Sequence, residues 1–329
     1  MRFSFKKLAA GLLAATCLVG PGISNVPAAI PPKSEATPTT LVIPPRVSSL
    51  YNNAAQICGP ITGGAANPVI EKRIQDFNQV ISKSQTGRDL LQAAATYDSQ
   101  PAWICFKQVE GLHAVYYINR GVLTVALNKT TDEIVADAAH ELRHLFQEKA
   151  GIHNIEPKDN NDRIHLEYAG EADAEATTSL MMWELKEAGH PGPWNAHNNP
   201  RNYGPRSICY AHISTSFKNA IEGGKTVSEA SRITFRAWYR DRDLLSYYKD
   251  TALAGISAAK SPESTLHMHQ RVQQTSSCHN PGPERTTRGY ELPSPYISEK
   301  ISGVTGRLPA YDINYIQQGG GLLPILMAP

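Results

Sequence analysis

Five consecutive residues near the middle of the chain, His140-Glu141-Leu142-Arg143-His144, have the types and spacing of a hydrolytic metal site. On a helix, side chains four residues apart lie on one face, so His140 and His144 can present imidazole nitrogens to one Zn²⁺. Glu141 sits beside that face, where its carboxylate can reach a water in the open metal position and act as general base. The pattern therefore predicts zinc-dependent hydrolysis, with Glu141 as the catalytic residue.

The residues on either side of this motif predict the helix that must position it. Thr130 and Glu133 have the spacing of a capping box, which begins a helix, and Gly151 is typical of a helix end. Between them, apolar residues recur at helical spacing: Val135, Ala138, Leu142 and Leu145. The alternative interpretation is a solvated helix face that happens to carry two histidines and a glutamate.

A catalytic zinc site needs a third protein ligand, and the sequence offers two carboxylates for it. Glu171 is the preferred candidate, because small alanines beside it would let a second helix approach the first closely. Glu175 follows four residues later, where it could orient a ligand histidine through the second ring nitrogen. Glu167 also stands four residues from Glu171 and could be the ligand instead. For Glu171 and Glu167 alike, the alternative to metal binding is a solvated acidic face on a long helix.

This arrangement resembles zincins whose third ligand is a glutamate, the gluzincins, and the chain lacks the third histidine of the metzincin pattern. Across roughly 68–250 the chain also resembles a family of bacterial secreted metallopeptidases of unknown substrate. The resemblance rests on Thr86-Gly87-Arg88-Asp89-Leu90-Leu91, on Ala138-Ala139-His140-Glu141-Leu142-Arg143-His144-Leu145-Phe146-Gln147 with Glu171-Ala172-Asp173-Ala174, and on Phe235-Arg236-Ala237-Trp238-Tyr239. It implies peptide-bond hydrolysis and an α+β, predominantly helical, zincin-like fold with a small antiparallel sheet and a metal-binding helix pair.

Periodicity predicts the elements around the motif. Helical patterns cover 68–84, 87–97, 162–188 and 227–248, and short β-prone runs cover 103–106, 114–118 and 122–127. The strand that precedes the metal-binding helix of a zincin is usually the sheet edge along which an extended substrate lies, which here means residues 121–127. A plain half-buried strand with no ligand is the alternative.

Three further residues are candidates for stabilising the oxyanion of the tetrahedral intermediate, a role that needs a hydrogen-bond donor about 3 Å from that oxygen. They are Tyr239, His267 and His269. An aromatic residue at helical spacing is more often part of a core, and a His-x-His pair is more often on the surface, so each role competes with a structural explanation.

The amino terminus predicts export. Residues 1–7 are basic, residues 8–20 are apolar, and Val26-Pro27-Ala28 suits signal cleavage after Ala28. The alternative is an uncleaved anchor. We therefore expect a signal peptide at 1–28, a Pro/Thr-rich linker at 29–50, a zincin-like domain at 51–280 and a Pro/Gly-rich extension at 281–329, with no membrane span in the mature chain and a periplasmic or extracellular location.

Cysteine usage agrees with an oxidising compartment. Removing the signal leaves an even number of cysteines, which predicts two disulfides with three possible connectivities. They are Cys58, Cys105, Cys209 and Cys278.

Composition limits the remaining function classes. A chain of 329 residues with 41% hydrophobic content can bury one substantial core, and its net charge of +2 gives no support to a nucleic-acid surface. The expected partner is a peptide or protein substrate. The alternative function is a non-catalytic secreted binding or structural module with a zinc-holding or vestigial His/Glu cluster.

Overall fold

The computed structural model describes residues 41–108, 113–199 and 207–258. Its strands are β1 (Cys58–Pro60), β2 (Trp103–Lys107), β3 (Ala114–Tyr117) and β4 (Val122–Ala126). Its helices are α1 (Pro45–Ser48), α2 (Ala54–Ile57), α3 (Pro68–Ile81), α4 (Gln85–Ala95), α5 (Thr131–Ala150), α6 (Asn160–Glu187), α7 (Pro191–His197), α8 (Ser207–Glu222), α9 (Val227–Trp238) and α10 (Arg242–Ala258). The described residues are thus mostly helical, with one small sheet.

The sheet is mixed, so the expectation of an antiparallel sheet was wrong. Its strand order is β1-β2-β4-β3, and β2 pairs with β4 in parallel, from Trp103 opposite Val122 to Lys107 opposite Ala126. Two parallel strands need a crossover connection between them. Here β3 is part of that connection, and it pairs antiparallel with the edge of β4 that β2 leaves open. The other two pairs, β1 with β2 and β3 with β4, are antiparallel.

Strand β4 is central and β3 is the edge, which corrects the expectation that residues 121–127 form the edge for substrate. Every residue of β4 is buried, as in a strand with neighbours on both sides, whereas β3 is mostly half-buried. The turn between these strands has left-handed backbone at Asn119 (φ 60°) and Gly121 (φ 57°).

Helix α5, which carries the His-Glu-x-x-His motif, has the predicted ends. The Thr130 side chain accepts a hydrogen bond from the Glu133 N–H, and the Glu133 carboxylate accepts one from the Thr130 N–H. Gly151 ends the helix in the left-handed conformation at φ 90°, which costs glycine little. The capping box and the terminal glycine, both predicted from neighbouring residues in the sequence, are therefore confirmed.

Helix α6 lies at the centre of the described structure and packs against α5, α7, α8, α9 and α10. It contributes to two hydrophobic clusters: Met181, Met182 and Leu185 join the sheet-side cluster, whereas Tyr168 and Ala172 join the cluster of α9 and α10. Small residues dominate the middle of the helix, which allows neighbouring helices to come close. The side chains that face α5 are therefore held in a packed interior.

Several expectations about the flanking elements need correction. The region expected as one helix at 227–248 is two helices, because the Asp241 carboxylate accepts hydrogen bonds from the N–H groups of Asp243 and Leu244 and so begins α10. Helices α7 and α8 were not expected. Residues 41–50 of the expected linker include α1, whose Val47 is fully buried beside Trp103.

The predicted disulfide framework is confirmed for one pair. Cys58 of β1 and Cys105 of β2 are opposite each other in the sheet and are bonded. Cys278 and the side chain of Cys209 lie outside the described residues, as do the expected signal peptide and the C-terminal extension. In the described part of the chain, no helix combines the length and the apolar character that crossing a membrane requires.

Candidate metal centre

Helices α5 and α6 bring His140, His144 and Glu171 together. The His140 Nε2 lies 3.1 Å from Glu171 Oε2, and the His144 Nε2 lies 3.2 Å from Glu171 Oε1. One potential ligand atom from each residue falls within 4.8 Å of the others. Two imidazoles that share one helix face thus converge on a single carboxylate from the facing helix, as the spacing predicted.

The second ring nitrogen of each histidine faces an acceptor. The His140 Nδ1 lies 3.6 Å from Glu175 Oε2, and the His144 Nδ1 lies 2.9 Å from Gln147 Oε1. An acceptor at Nδ1 favours a proton on that nitrogen and leaves a lone pair at Nε2, which is the form that binds a metal. The donor set, two imidazole nitrogens and one carboxylate, therefore fits a metal ion between α5 and α6.

The electrostatics of the cluster favour positive charge. Burial lowers the pKa of His140, but hydrogen bonds to Glu171 and Glu175 outweigh it, so the pKa lies well above its ordinary value. Burial likewise raises the pKa of Glu171, but the charges of His144 and His140 outweigh it and hold the pKa far below its ordinary value. A divalent cation would neutralise the same negative charge of the Glu171 and Glu175 carboxylates.

Glu141 lies where the edge strand meets the metal-site helix. Its Oε2 accepts a hydrogen bond of 2.8 Å from the backbone N–H of Tyr116 in β3. The contact fixes the carboxylate beside the sheet edge. A half-buried carboxylate held in this way can accept a proton from a neighbouring water.

Glu167, the competing ligand, is not among the three residues whose ligand atoms cluster in the described structure. It lies one helical turn before Glu171 and is half-buried. Burial raises the pKa of Glu167 to about 7, and the charge of Glu171 adds to this effect. The geometry brings Glu171, rather than Glu167, to both imidazoles.

The chain matches the model of a family described as "Putative metallopeptidase family" over residues 52–276. It belongs to this family. Membership implies a metal ion and metal-dependent cleavage of a protein substrate, and His140, His144 and Glu171 could bind such an ion. No curated protein and no solved structure matches the chain.

In this member of the metallopeptidase family, the Glu175 carboxylate contacts two histidines. Its Oε2 faces His140, and its Oε1 lies 2.9 Å from the Nε2 of the buried His197 in α7. His197 was not predicted from the sequence, because α7 is short and carries no periodic signal that connects it to the motif. The buried His197 gives Glu175 a second partner and holds its pKa down, at about 2, against the effect of burial.

The expected oxyanion donors gain no support from the described contacts. The Tyr239 ring packs against the rings of Phe235, Trp238 and Tyr168, with centroid distances of 5.4, 5.4 and 6.3 Å. The half-buried Tyr239 thus packs against the hydrophobic cluster of α9 and α10. His267 and His269 lie outside the described residues, so the oxyanion roles stay predictions.

Proposed function

We propose that this protein is an exported zinc peptidase of the gluzincin type, in which His140, His144 and Glu171 hold the metal. The observation that carries this proposal is the convergence of both Nε2 atoms on the Glu171 carboxylate while both Nδ1 atoms face acceptors. When bound, zinc would supply a Lewis acid that polarises the scissile carbonyl and makes water at the site more acidic.

Glu141 is the proposed general base. Its carboxylate would take a proton from the attacking water and pass it to the leaving amine, which completes hydrolysis of the peptide bond. The Tyr116 N–H supports this role, because it holds one carboxylate oxygen and leaves the other to approach the water. Glu175 would orient His140 through its Nδ1, with His197 steadying the opposite oxygen.

The substrate would lie along β3. This strand is at one edge of the sheet and packs against α5, and the backbone N–H of its Tyr116 contacts the proposed base directly. A peptide that adds to an exposed strand gains main-chain hydrogen bonds, and its scissile bond would then pass beside Glu141. Strand β4 cannot take this role, because β2 and β3 occupy both of its edges.

Export to the periplasm or the extracellular space is part of the proposal. It is supported by the signal-like amino terminus and by the Cys58–Cys105 bond, which persists in an oxidising compartment. N-terminal sequencing of the protein recovered outside the cytoplasm should begin at Ala29. A chain that still begins at Met1 would contradict cleavage.

Metal analysis tests the proposed centre. The purified mature chain should contain one zinc per molecule, and His144→Ala should lose most of it because two ligands hold zinc far less tightly than three. His165→Ala is the control, because His165 lies on α6 outside the cluster. This variant should keep its zinc. A chelator should abolish cleavage of a peptide library, and zinc should restore it. Unchanged zinc content in His144→Ala would overturn the assignment.

A further inference from the structure

A buried chain of polar side chains runs from His144 into the interface between α5 and α6. The Gln147 Oε1 faces the His144 Nδ1 at 2.9 Å, and the Gln147 Nε2 donates to the Gly170 carbonyl at 2.8 Å and to Asp173 Oδ2 at 2.7 Å. Arg143 closes the chain through two hydrogen bonds to Asp173, of 2.7 and 2.9 Å. Gln147 and Asp173 are completely buried, and Arg143 is 5% exposed.

These contacts leave the Gln147 amide one favourable orientation. Its NH₂ group has two hydrogens, and both point at groups that can only accept, a carbonyl and a carboxylate. Turning the amide over would place its oxygen against those two acceptors, and a buried pair of acceptors without a donor costs free energy. The Gln147 oxygen must therefore face the imidazole.

The fixed amide in turn fixes the imidazole. An amide oxygen can only accept, so the His144 Nδ1 must carry a proton, and in the neutral ring the lone pair therefore falls on Nε2. That nitrogen is the one that lies 3.2 Å from Glu171. Asp173 and Arg143 act one step further away, because the bidentate ion pair prevents the Asp173 carboxylate from turning away from Gln147.

We propose that Gln147 is a positioning residue that holds His144 in the Nδ1–H tautomer, and that the Asp173–Arg143 pair locks the Gln147 amide. The inference rests on the proposed function in one respect, the identity of Nε2 as a zinc ligand. Gln147 thus positions His144, whereas Glu175 positions His140. Residue 147 must therefore present an acceptor to the His144 Nδ1, while its own N–H groups donate to the two acceptors behind it.

Nitrogen-15 NMR of the histidines tests the inference without reference to activity. In metal-free protein, at a pH where the imidazole is neutral, His144 should show the Nδ1–H tautomer. Gln147→Met should convert it to a mixture of both tautomers and weaken zinc affinity by about 10- to 100-fold, as the loss of a residue that orients a ligand does. An Nε2–H tautomer in the wild type, or an unchanged tautomer and affinity in Gln147→Met, would overturn the proposal.

Two further variants separate positioning from stability. Thr178→Val removes another buried hydrogen bond on α6, from Thr178 Oγ1 to the Ala174 carbonyl, and should lower stability while the tautomer and zinc affinity stay unchanged. Gln147→Leu is a second apolar replacement of residue 147 and likewise removes the acceptor beside His144. It should give the same mixture of tautomers as Gln147→Met, and an unchanged tautomer in this variant, once folded, would count against the proposal.

The same measurements distinguish the two hypotheses. If the wild type shows the Nδ1–H tautomer but binds no zinc, the proposed function fails and the positioning role of Gln147 stands. If the wild type binds zinc and the tautomer of His144 does not depend on Gln147, the proposed function stands and this inference fails. Should Gln147→Met fail to fold, the wild-type tautomer and Gln147→Leu still decide.

Discussion

Glu171 and Glu167 lie one turn apart on α6, and Glu171 is the carboxylate that meets both imidazoles. Glu171→Ala should therefore abolish zinc retention, because the site loses one of three ligands, whereas Glu167→Ala should leave it nearly intact. Competition with a chromophoric chelator measures both affinities under identical conditions. The reverse ranking of the two variants would transfer the ligand role to Glu167.

Spacing predicted which residues could form the cluster, but it did not choose between the two candidate carboxylates. His140 and His144 share one helix face by their spacing, whereas Glu171 and Glu167 were both open until the packing of α5 on α6 placed Glu171 beside both imidazoles. Gln147 had a usable signal, since it stands three residues after His144 on the same helix face. His197 had none, because its contact with Glu175 depends on how α7 packs after α6 has ended.

At the scale of elements, the capping box that begins α5 should stabilise the helix that carries the motif. Thr130→Ala removes the side chain that accepts from the Glu133 N–H and should lower the free energy of unfolding by about 1 kcal/mol, measured by urea denaturation. Thr226 and Glu229 form the same box at the start of α9, so Thr226→Ala is a matched comparison and should cost a similar amount. No loss in either variant would contradict the capping geometry.

The capping box also predicts a pH dependence. Burial raises the pKa of Glu133, but hydrogen bonds from Thr130 outweigh it and hold the pKa below its ordinary value. A carboxyl whose pKa is lowered on folding stabilises the protein above its unfolded pKa, and this stabilisation is lost as the pH falls through the folded pKa. The difference in stability between wild type and Glu133→Gln should therefore be present at neutral pH and shrink in acid. A difference that grows in acid would contradict this.

The order of the strands could not be predicted from the sequence pattern. The run 122–127 predicted a strand correctly, but we expected it at the sheet edge, whereas every residue of Val122–Ala126 is buried and β4 is central. The edge belongs to β3, whose alternation is weaker and whose neighbours are set by tertiary packing. The pattern predicted β2, β3 and β4 but not β1, α7 or α8, and the order of the strands depends on which surfaces the helices cover.

At the scale of the whole molecule, the disulfide joins the first strand to the second across 47 residues of chain. Replacing Cys58 and Cys105 together by alanine should lower the free energy of unfolding by about 2 to 4 kcal/mol, because the unfolded chain loses a constraint. Denaturation of the oxidised wild type and the double variant measures this difference. Peptide mapping of the exported protein should recover the Cys58–Cys105 pair, and finding both thiols unbonded there would contradict the oxidised state.

The position of the candidate metal site between two packed helices explains why its side chains are preorganised. Phe146 of α5 packs against both large hydrophobic clusters, and α6 contributes residues to both. The cluster of His140, His144 and Glu171 therefore lies between two helices that are held from two sides. Rigid elements keep ligands in place more precisely than loops do, which suits a catalytic metal.

Peptide cleavage by Glu141→Gln at measured zinc content tests the proposed hydrolytic role most directly. Glutamine keeps the shape of the side chain and can still accept from the Tyr116 N–H, but it cannot act as a base. Its zinc content should equal that of the wild type, while cleavage of a peptide library should fall by about 10²- to 10⁴-fold. Glu133→Gln makes the same chemical change elsewhere on α5 and should keep both zinc and cleavage. Cleavage by zinc-loaded Glu141→Gln at the wild-type rate would contradict the role of Glu141 and the mechanism built on it.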